Sequence, residues 1–255
     1  ISSEKYRELL KQGYSFAKIN GELYGMSNNN PNFSLAYSYY KMIKKFAPHI
    51  KLVPVKRTGQ NLNNENLEMA QHLSATAIRK NIMSEEITSY ISKELLEDIR
   101  ASKIPTEEDF FGLLKYKIIS LGKDGLKNIY DMREGLENRI FEAALSAKNY
   151  GELVELVITK RYSKKKIQRL LIHVLTNTTC DNYEKLFGMK VFRVLAVKSE
   201  KSGLIREINK EEKITLVSVL NSSNSMYFAQ DIKVARIYSL IAGKPDIFRE
   251  KIELV

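Results

Sequence analysis

The chain has 255 residues, 44% of them hydrophobic, with 41 Lys and Arg against 30 Asp and Glu and a formal net charge of +11. That length and apolar content exclude a disordered chain and allow one large or two ordinary domains with a real core, while the longest apolar runs, such as LLIHVL at 170–175, fall far short of the roughly 20 residues a membrane-spanning helix needs. A single cysteine, Cys180, excludes an internal disulfide and fits a reducing, cytoplasmic setting, and the basic balance suggests a polyanionic partner.

In chain order, EKYRELLKQ (4–12) reads as a helix stopped by Gly13, and SLAYSYYKMIKKF (34–46) sets apolar and aromatic residues at helical spacing. IKLVPVKR (50–57) alternates like a strand, with Pro54 marking an edge or an end. A polar loop then leads to HLSATAIRK (72–80), where Ser74 stands at a helix start, Thr76 follows, and Arg79 lies one turn on. Helix, strand, loop and helix make an α/β pattern, yet one strand alone makes no stable sheet. A helix start offers unpaired N–H groups and partial positive charge, which hydroxyls and a guanidinium extend into a cradle for phosphate. Ser74 as an ordinary N-cap is the plainer reading.

Beyond residue 100 the pattern is helical. The segment from Thr106 opens with a Thr106–Asp109 capping pair and closes on Gly122, and further helices are expected at about 134–148, 151–160 and 164–177. VFRVLAV (191–197), SGLIREINK (202–210) and KITLVSVL (213–220) read as strand, helix, strand, and a last helix covers AQDIKVARIYSL (229–240). The expected architecture is mainly α with α/β parts.

The positive charge concentrates in one place. From 156 to 180 the sequence holds six basic residues and no acidic one: Lys160, Arg161, Lys164, Lys165, Lys166 and Arg169. With Ser163 as cap, the last four spread around the first turns of a helix whose buried stripe is Ile167, Leu170, Leu171 and Val174. Lysines at a helix start oppose its dipole, a cost that an RNA phosphate would offset; a solvated helix face is the alternative.

PNFSLAYSYY (31–40), IKLVPVKRTG (50–59), LSATAIRK (73–80), EGLENRI (134–140), LVITKRYSKKKIQRLLIHVL (156–175), FRVLAV (192–197) and DIKVARIYSL (231–240) come in the order found in bacterial tRNA(Met) cytidine acetate ligases. From about residue 25 to 250 the chain resembles that family. The resemblance implies the C-terminal part of a nucleotidyltransferase-like ATP domain over 1–98 and a mainly helical tRNA-binding domain with a small terminal α/β element over 99–255. It implies use of ATP, with Mg, to activate acetate as acetyl-adenylate, and acetylation of the exocyclic amine of the wobble cytidine in elongator tRNA(Met). By the same resemblance Asn32 meets adenine or ribose, Arg57, Thr58, Ser74, Thr76 and Arg79 lie around the phosphates, and the basic run from Lys160 to Arg169 meets tRNA.

The departures are Phe33, where the family has a second Asn, NLNNEN (61–66), where it has Tyr-His-Asp, and the absence of the HxGH signature. The histidines are His49, His72 and His173, none at that spacing. The expectation is an N-terminally incomplete nucleotidyltransferase domain with its catalytic residues unassigned and no metal ligands in view. A non-catalytic RNA-binding helical module and a small-molecule nucleotidyltransferase are the rival readings. In EGLENRI, Leu136, Ile140 and the following Phe141 suggest packing rather than a chemical role for Glu134 or Arg139.

Overall fold

Helices build most of the described chain, and polar side chains cap the starts of four of the α-helices, at Ser74, Ser92, Asn149 and Thr179. The computed structural model describes all residues except 1–2, 15, 25–30, 56–58, 60–64, 68–71, 134, 212–213, 244–252 and 255. The chain divides into two compact units, residues 1–103 and 104–255.

The first unit holds α1 (Ser3–Lys11), α2 (Phe16–Tyr24), α3 (Pro31–Phe46), α4 (Ala75–Lys80), a 3-10 turn (Glu85–Ser89) and α5 (Lys93–Arg100). Gly13 ends α1 with φ +76°, as its position after the helical pattern predicts. Serine hydroxyls start three elements: Ser74 accepts from Ala77 N at 2.9 Å, Ser84 from Glu86 N at 3.3 Å and Ser92 from Leu95 N at 3.3 Å. Arg100 closes the end of the unit, donating from Nη2 to the Ser84 carbonyl at 2.9 Å and from Nη1 to Glu85 at 3.4 Å. The fully buried apolar residues described here are few: Ile19, Ala77, Ile87 and Leu96.

The strand expected at 50–57 is absent from the described part of that segment. Residues 51–55 form no ladder, and Val53 and Val55 are 70% and 88% exposed. Period-two alternation makes a strand only when a neighbour pairs its N–H and C=O groups and covers its apolar face, and Pro54 removes one donor outright.

The second unit holds α6 (Phe111–Lys127), α7 (Leu136–Ser146), α8 (Tyr150–Val157), α9 (Lys164–Leu175), α10 (Cys180–Phe187), α11 (Gly203–Lys210) and α12 (Ala229–Ala242). Its core comes from α6 to α9, where Ile118, Ile140, Leu153, Ile167, Leu170 and Val174 are 0% exposed. The apolar stripe expected on α9 is thus the stripe that is buried. Thr106 and Asp109 do meet, with both N and Oγ1 of Thr106 donating to Asp109 Oδ2 at 2.8 Å, but they form a turn ahead of a helix that begins at Phe111. Gly122 breaks α6 with φ 63° and ψ 178°, and one more turn runs to Lys127; that conformation is open essentially to glycine alone.

Two backbone bonds, Tyr130 N to Thr178 O at 2.8 Å and Cys180 N to Asn128 O at 3.1 Å, clasp the chain after α6 to the chain before α10. The Tyr130 and Tyr183 rings stack over this clasp with centroids 3.6 Å apart. Beyond it, β1 (Val191–Arg193) pairs in parallel with β3 (Thr215–Val217), with α11 as the crossover, which is the strand–helix–strand piece the sequence predicts. Asn209 fastens α11 to β3, accepting from Leu216 N at 2.6 Å and donating to Leu216 O at 3.0 Å. A break at 194–195 divides the expected 191–197 strand, and its second part, β2 (Ala196–Val197), pairs in parallel with β4 (Glu253–Leu254).

Candidate functional site

In the first unit the segment expected from the sequence to meet phosphate is the start of α4. Ser74 is fully buried and its hydroxyl accepts the Ala77 N–H, so it caps the helix as the plainer sequence reading has it. Thr76 and Arg79 are three residues apart and share the side of the helix away from buried Ala77, and Arg79 is exposed. The far end of α4 is anchored to the loop at 65: Lys80 pairs with the Glu65 carboxylate, and Asn81 Nδ2 donates to the Glu65 carbonyl at 3.0 Å.

Gly59 supplies a link that the sequence pattern did not signal. With φ +91°, its backbone passes so close to His72 that a Cβ there would stand 2.8 Å from the His72 carbonyl oxygen. Gly59 is therefore held against the chain two residues before Ser74. Arg57 and Thr58 themselves lie outside the described residues. Asn32 belongs to the first turn of α3, with its side chain outside the described ones.

In the second unit the basic run lies on the loop before α9 and on its first turns. Ser163 occupies the N-cap position without using its hydroxyl as a cap. The six cations are not equivalent. Lys164 pairs with Glu155 at 3.2 Å on an exposed surface, and Lys166, with its side chain only 24% exposed, pairs with Asp131. Asp131 has φ 66°, and Arg133 also approaches it, at 3.7 Å. Lys166 therefore ties the loop at Asp131 to the start of α9. Lys160, Arg161, Lys165 and Arg169 have no carboxylate partner among the described residues; Arg161 lies over the Tyr162 ring at 5.6 Å.

His173, one turn beyond Arg169, meets Tyr130 edge-on at 5.4 Å. Burial holds its imidazole below the usual histidine range, Lys166 and Arg169 push the same way, and Asp131 opposes them. Arg139 is structural: it donates from Nε to Leu156 O at 2.9 Å and from Nη2 to Ile158 O at 3.4 Å, capping the C-terminus of α8. Leu136 and Ile140 are buried and Phe141 packs against the same core, so this segment packs as its sequence suggests; Glu134 lies outside the described residues. Among the described residues no group of three or more His, Cys, Asp or Glu could hold a metal ion, and no helix is long and apolar enough to cross a membrane.

The profile of the HIGH Nucleotidyl Transferase family matches residues 2–251. The tRNA(Met) cytidine acetate ligases of Staphylococcus aureus strains JH9 and Mu3 are 30% identical over 246 residues, a stretch that is 95% of this chain and 64% of theirs. The chain thus spans less than two thirds of those relatives. The crystal structure of apo Thermotoga maritima TmcAL superposes with a TM-score of 0.78 at 20% identity, over 98% of this chain and 70% of that one. A second form of the same Thermotoga protein, bound with alpha-thio ATP, gives 0.71 at 19% identity, over 99% and 70%. At those identities the likeness establishes the fold, nucleotidyltransferase-like with mostly helical content.

Proposed function

The chain belongs to the HIGH nucleotidyl transferase family, and from that premise we propose that it serves an ATP-dependent acetate–tRNA ligase. Acetate would attack the α-phosphate of ATP, releasing pyrophosphate and leaving acetyl-adenylate. The exocyclic amine of the wobble cytidine in elongator tRNA(Met) would then take the acetyl group, losing a proton and releasing AMP. What carries the reading is the 30% identity to tRNA(Met) cytidine acetate ligases over 95% of the chain, supported by an acid-free block of six cations.

In this reading the first unit contributes part of the ATP site. Arg57, Thr58, Thr76 and Arg79 would meet the phosphates, Asn32 the adenine or ribose, and Ser74 would act through the helix start it caps. Stabilising charge on the departing pyrophosphate is where such donors gain most. Mg2+ would arrive on the ATP phosphates, which suits its habit of keeping waters and few protein ligands. The second unit would hold tRNA through Lys160, Arg161, Lys165 and Arg169, with Lys164 and Lys166 contributing less because carboxylates already face them.

Filter binding of elongator tRNA(Met) transcript to the 255-residue chain, beside a DNA duplex of equal charge, tests the reading. Salt-sensitive binding that prefers tRNA at least about tenfold, a difference of some 1.4 kcal/mol, is the expected result. Equal affinity for the duplex would reduce the basic block to a general polyanion surface and sink the proposal. RNA binding without chemistry is the rival reading, and ATP binding separates the two.

A further inference from the structure

Beside α9 lies a cavity of about 570 Å³, within the range of small-ligand pockets. Phe110, Tyr150 and Tyr238 give it aromatic walls, and Leu114, Leu171 and Ile237 give it aliphatic ones. Lys165 and Arg169 stand on its lining from one face of α9, with Gln168 beside them. Cations four residues apart on a helix repel each other, and neither has a carboxylate partner among the described residues, although Lys164 and Lys166 on either side of Lys165 both do. Glu107 also lines the hollow, unpaired with either cation, so an apolar, ring-lined cavity with two cations against one carboxylate keeps a net positive charge and fits a flat ligand that carries one anionic group. Burial first, and the nearby Glu107 carboxylate second, push the Tyr150 hydroxyl upward, while its hydrogen bond with Gln168 pulls the other way.

We propose that this cavity receives one unstacked nucleotide of the bound RNA, its base among the aromatic walls and its phosphate at Lys165 and Arg169. Gln168 and the Tyr150 hydroxyl, which interact with each other on the lining, would exchange that contact for the base edge. Single-stranded RNA is read in this manner, by stacking on aromatic side chains and hydrogen bonding to exposed edges. Lys160 and Arg161 precede α9 in the sequence and would hold the neighbouring RNA backbone. The inference rests on the proposal that RNA is the partner.

The test uses a short single-stranded RNA oligonucleotide carrying one 2-aminopurine, whose fluorescence falls when it stacks; the chain has no tryptophan to obscure the signal. Two variants probe the cavity. Tyr238→Ala removes a ring that is 38% exposed, and Ile237→Phe fills the space, with circular dichroism checking that each is folded. Losing one base stack should weaken the oligonucleotide about 5- to 150-fold and abolish the quench while leaving the salt dependence unchanged. Lys165→Ala with Arg169→Ala should instead lower the log–log salt slope by about 1.4. Wild-type affinity and quench in both folded cavity variants would overturn the cavity assignment while tRNA binding stands. A wild-type chain that binds neither tRNA nor the oligonucleotide would remove the RNA reading and the cavity proposal together. Displacement of the oligonucleotide from the cavity by a polyglutamate peptide, at lower concentration than by unlabelled RNA, would assign the hollow to protein instead.

Discussion

Replacing Lys160, Arg161, Lys165 and Arg169 together with alanine should change how tRNA binding responds to salt more than it changes the fold. Each cation withdrawn from a phosphate takes about 0.7 to 0.9 off the slope of log affinity against log salt, so four of them amount to about 2.8 to 3.6. Between 50 and 200 mM salt those four alone would account for roughly a 50- to 150-fold fall in wild-type affinity, which the variant would no longer show. The matched control is Lys164→Ala with Lys166→Ala. Those two cations already face Glu155 and Asp131, so the slope should move little. Stability should fall instead, because Asp131 would be left mostly covered beside only the distant Arg133. Loss of a charged hydrogen bond of this kind costs about 1 to 3 kcal/mol, or about 2 to 12 °C in Tm for a unit of this size. Filter binding across a salt series, with thermal melts on the same preparations, reads both quantities. A folded quadruple variant with the wild-type slope would refute the reasoning, and so would a slope that collapses only in the Lys164 and Lys166 control.

Gly59→Ala places a Cβ 2.8 Å from the His72 carbonyl at φ +91°, so it should destabilise this loop by about 1 to 3 kcal/mol and weaken ATP binding; a calorimetric titration indistinguishable from wild type would show that the close approach does not shape the site. The 255 residues by themselves should bind ATP no tighter than the high micromolar range, about 5 kcal/mol or less, because they contain no HxGH segment; submicromolar binding by calorimetry would place the site elsewhere. Arg139→Ala should cost about 0.5 to 1.5 kcal/mol through the lost bonds to the solvent-exposed Leu156 and Ile158 carbonyls yet leave tRNA affinity per folded molecule unchanged, and a selective fall in affinity would give Arg139 a contact role. Burial lowers the His173 pKa in the folded state, so as pH falls through about 6.5 the unfolded chain takes up a proton more readily than the folded chain, and stability falls. His173→Gln should flatten that part of the Tm profile between pH 7 and 5; an unchanged profile would clear His173 of the effect.

What the sequence disclosed depended on whether the deciding interaction was local. The stripe of Ile167, Leu170, Leu171 and Val174 could be read directly, because helix periodicity and burial follow from neighbours along the chain. The start of α4 was legible for the same reason, through the hydroxyl of Ser74. α5 and α10 carried comparable signals in Ser92 and Thr179, each capping its helix by a bond three residues on, but their apolar patterns are too short to stand out. The segment at 50–57 misled because alternation records only one half of a ladder. The ranking of the six cations was hidden as well: Glu155 lies near them in sequence, but Asp131 reaches Lys166 from 35 residues away. Gly59 meets His72 through the backbone, a contact to which no side-chain pattern corresponds.

The clasp between residues 128–130 and 178–180 sets an order of events for the second unit. Cys180 and Ile129 are 51 residues apart, and closing a loop of that length costs entropy that two backbone bonds and one ring stack offset only when α7, α8 and α9 already stand between them. The helices must pack first and the clasp must close late, so its contacts should be largely unformed in the folding transition state. Substitutions at Tyr130 or Tyr183 would then speed unfolding while hardly slowing refolding, which makes this pair a determinant of how long the helical unit survives once assembled rather than of how quickly it is made.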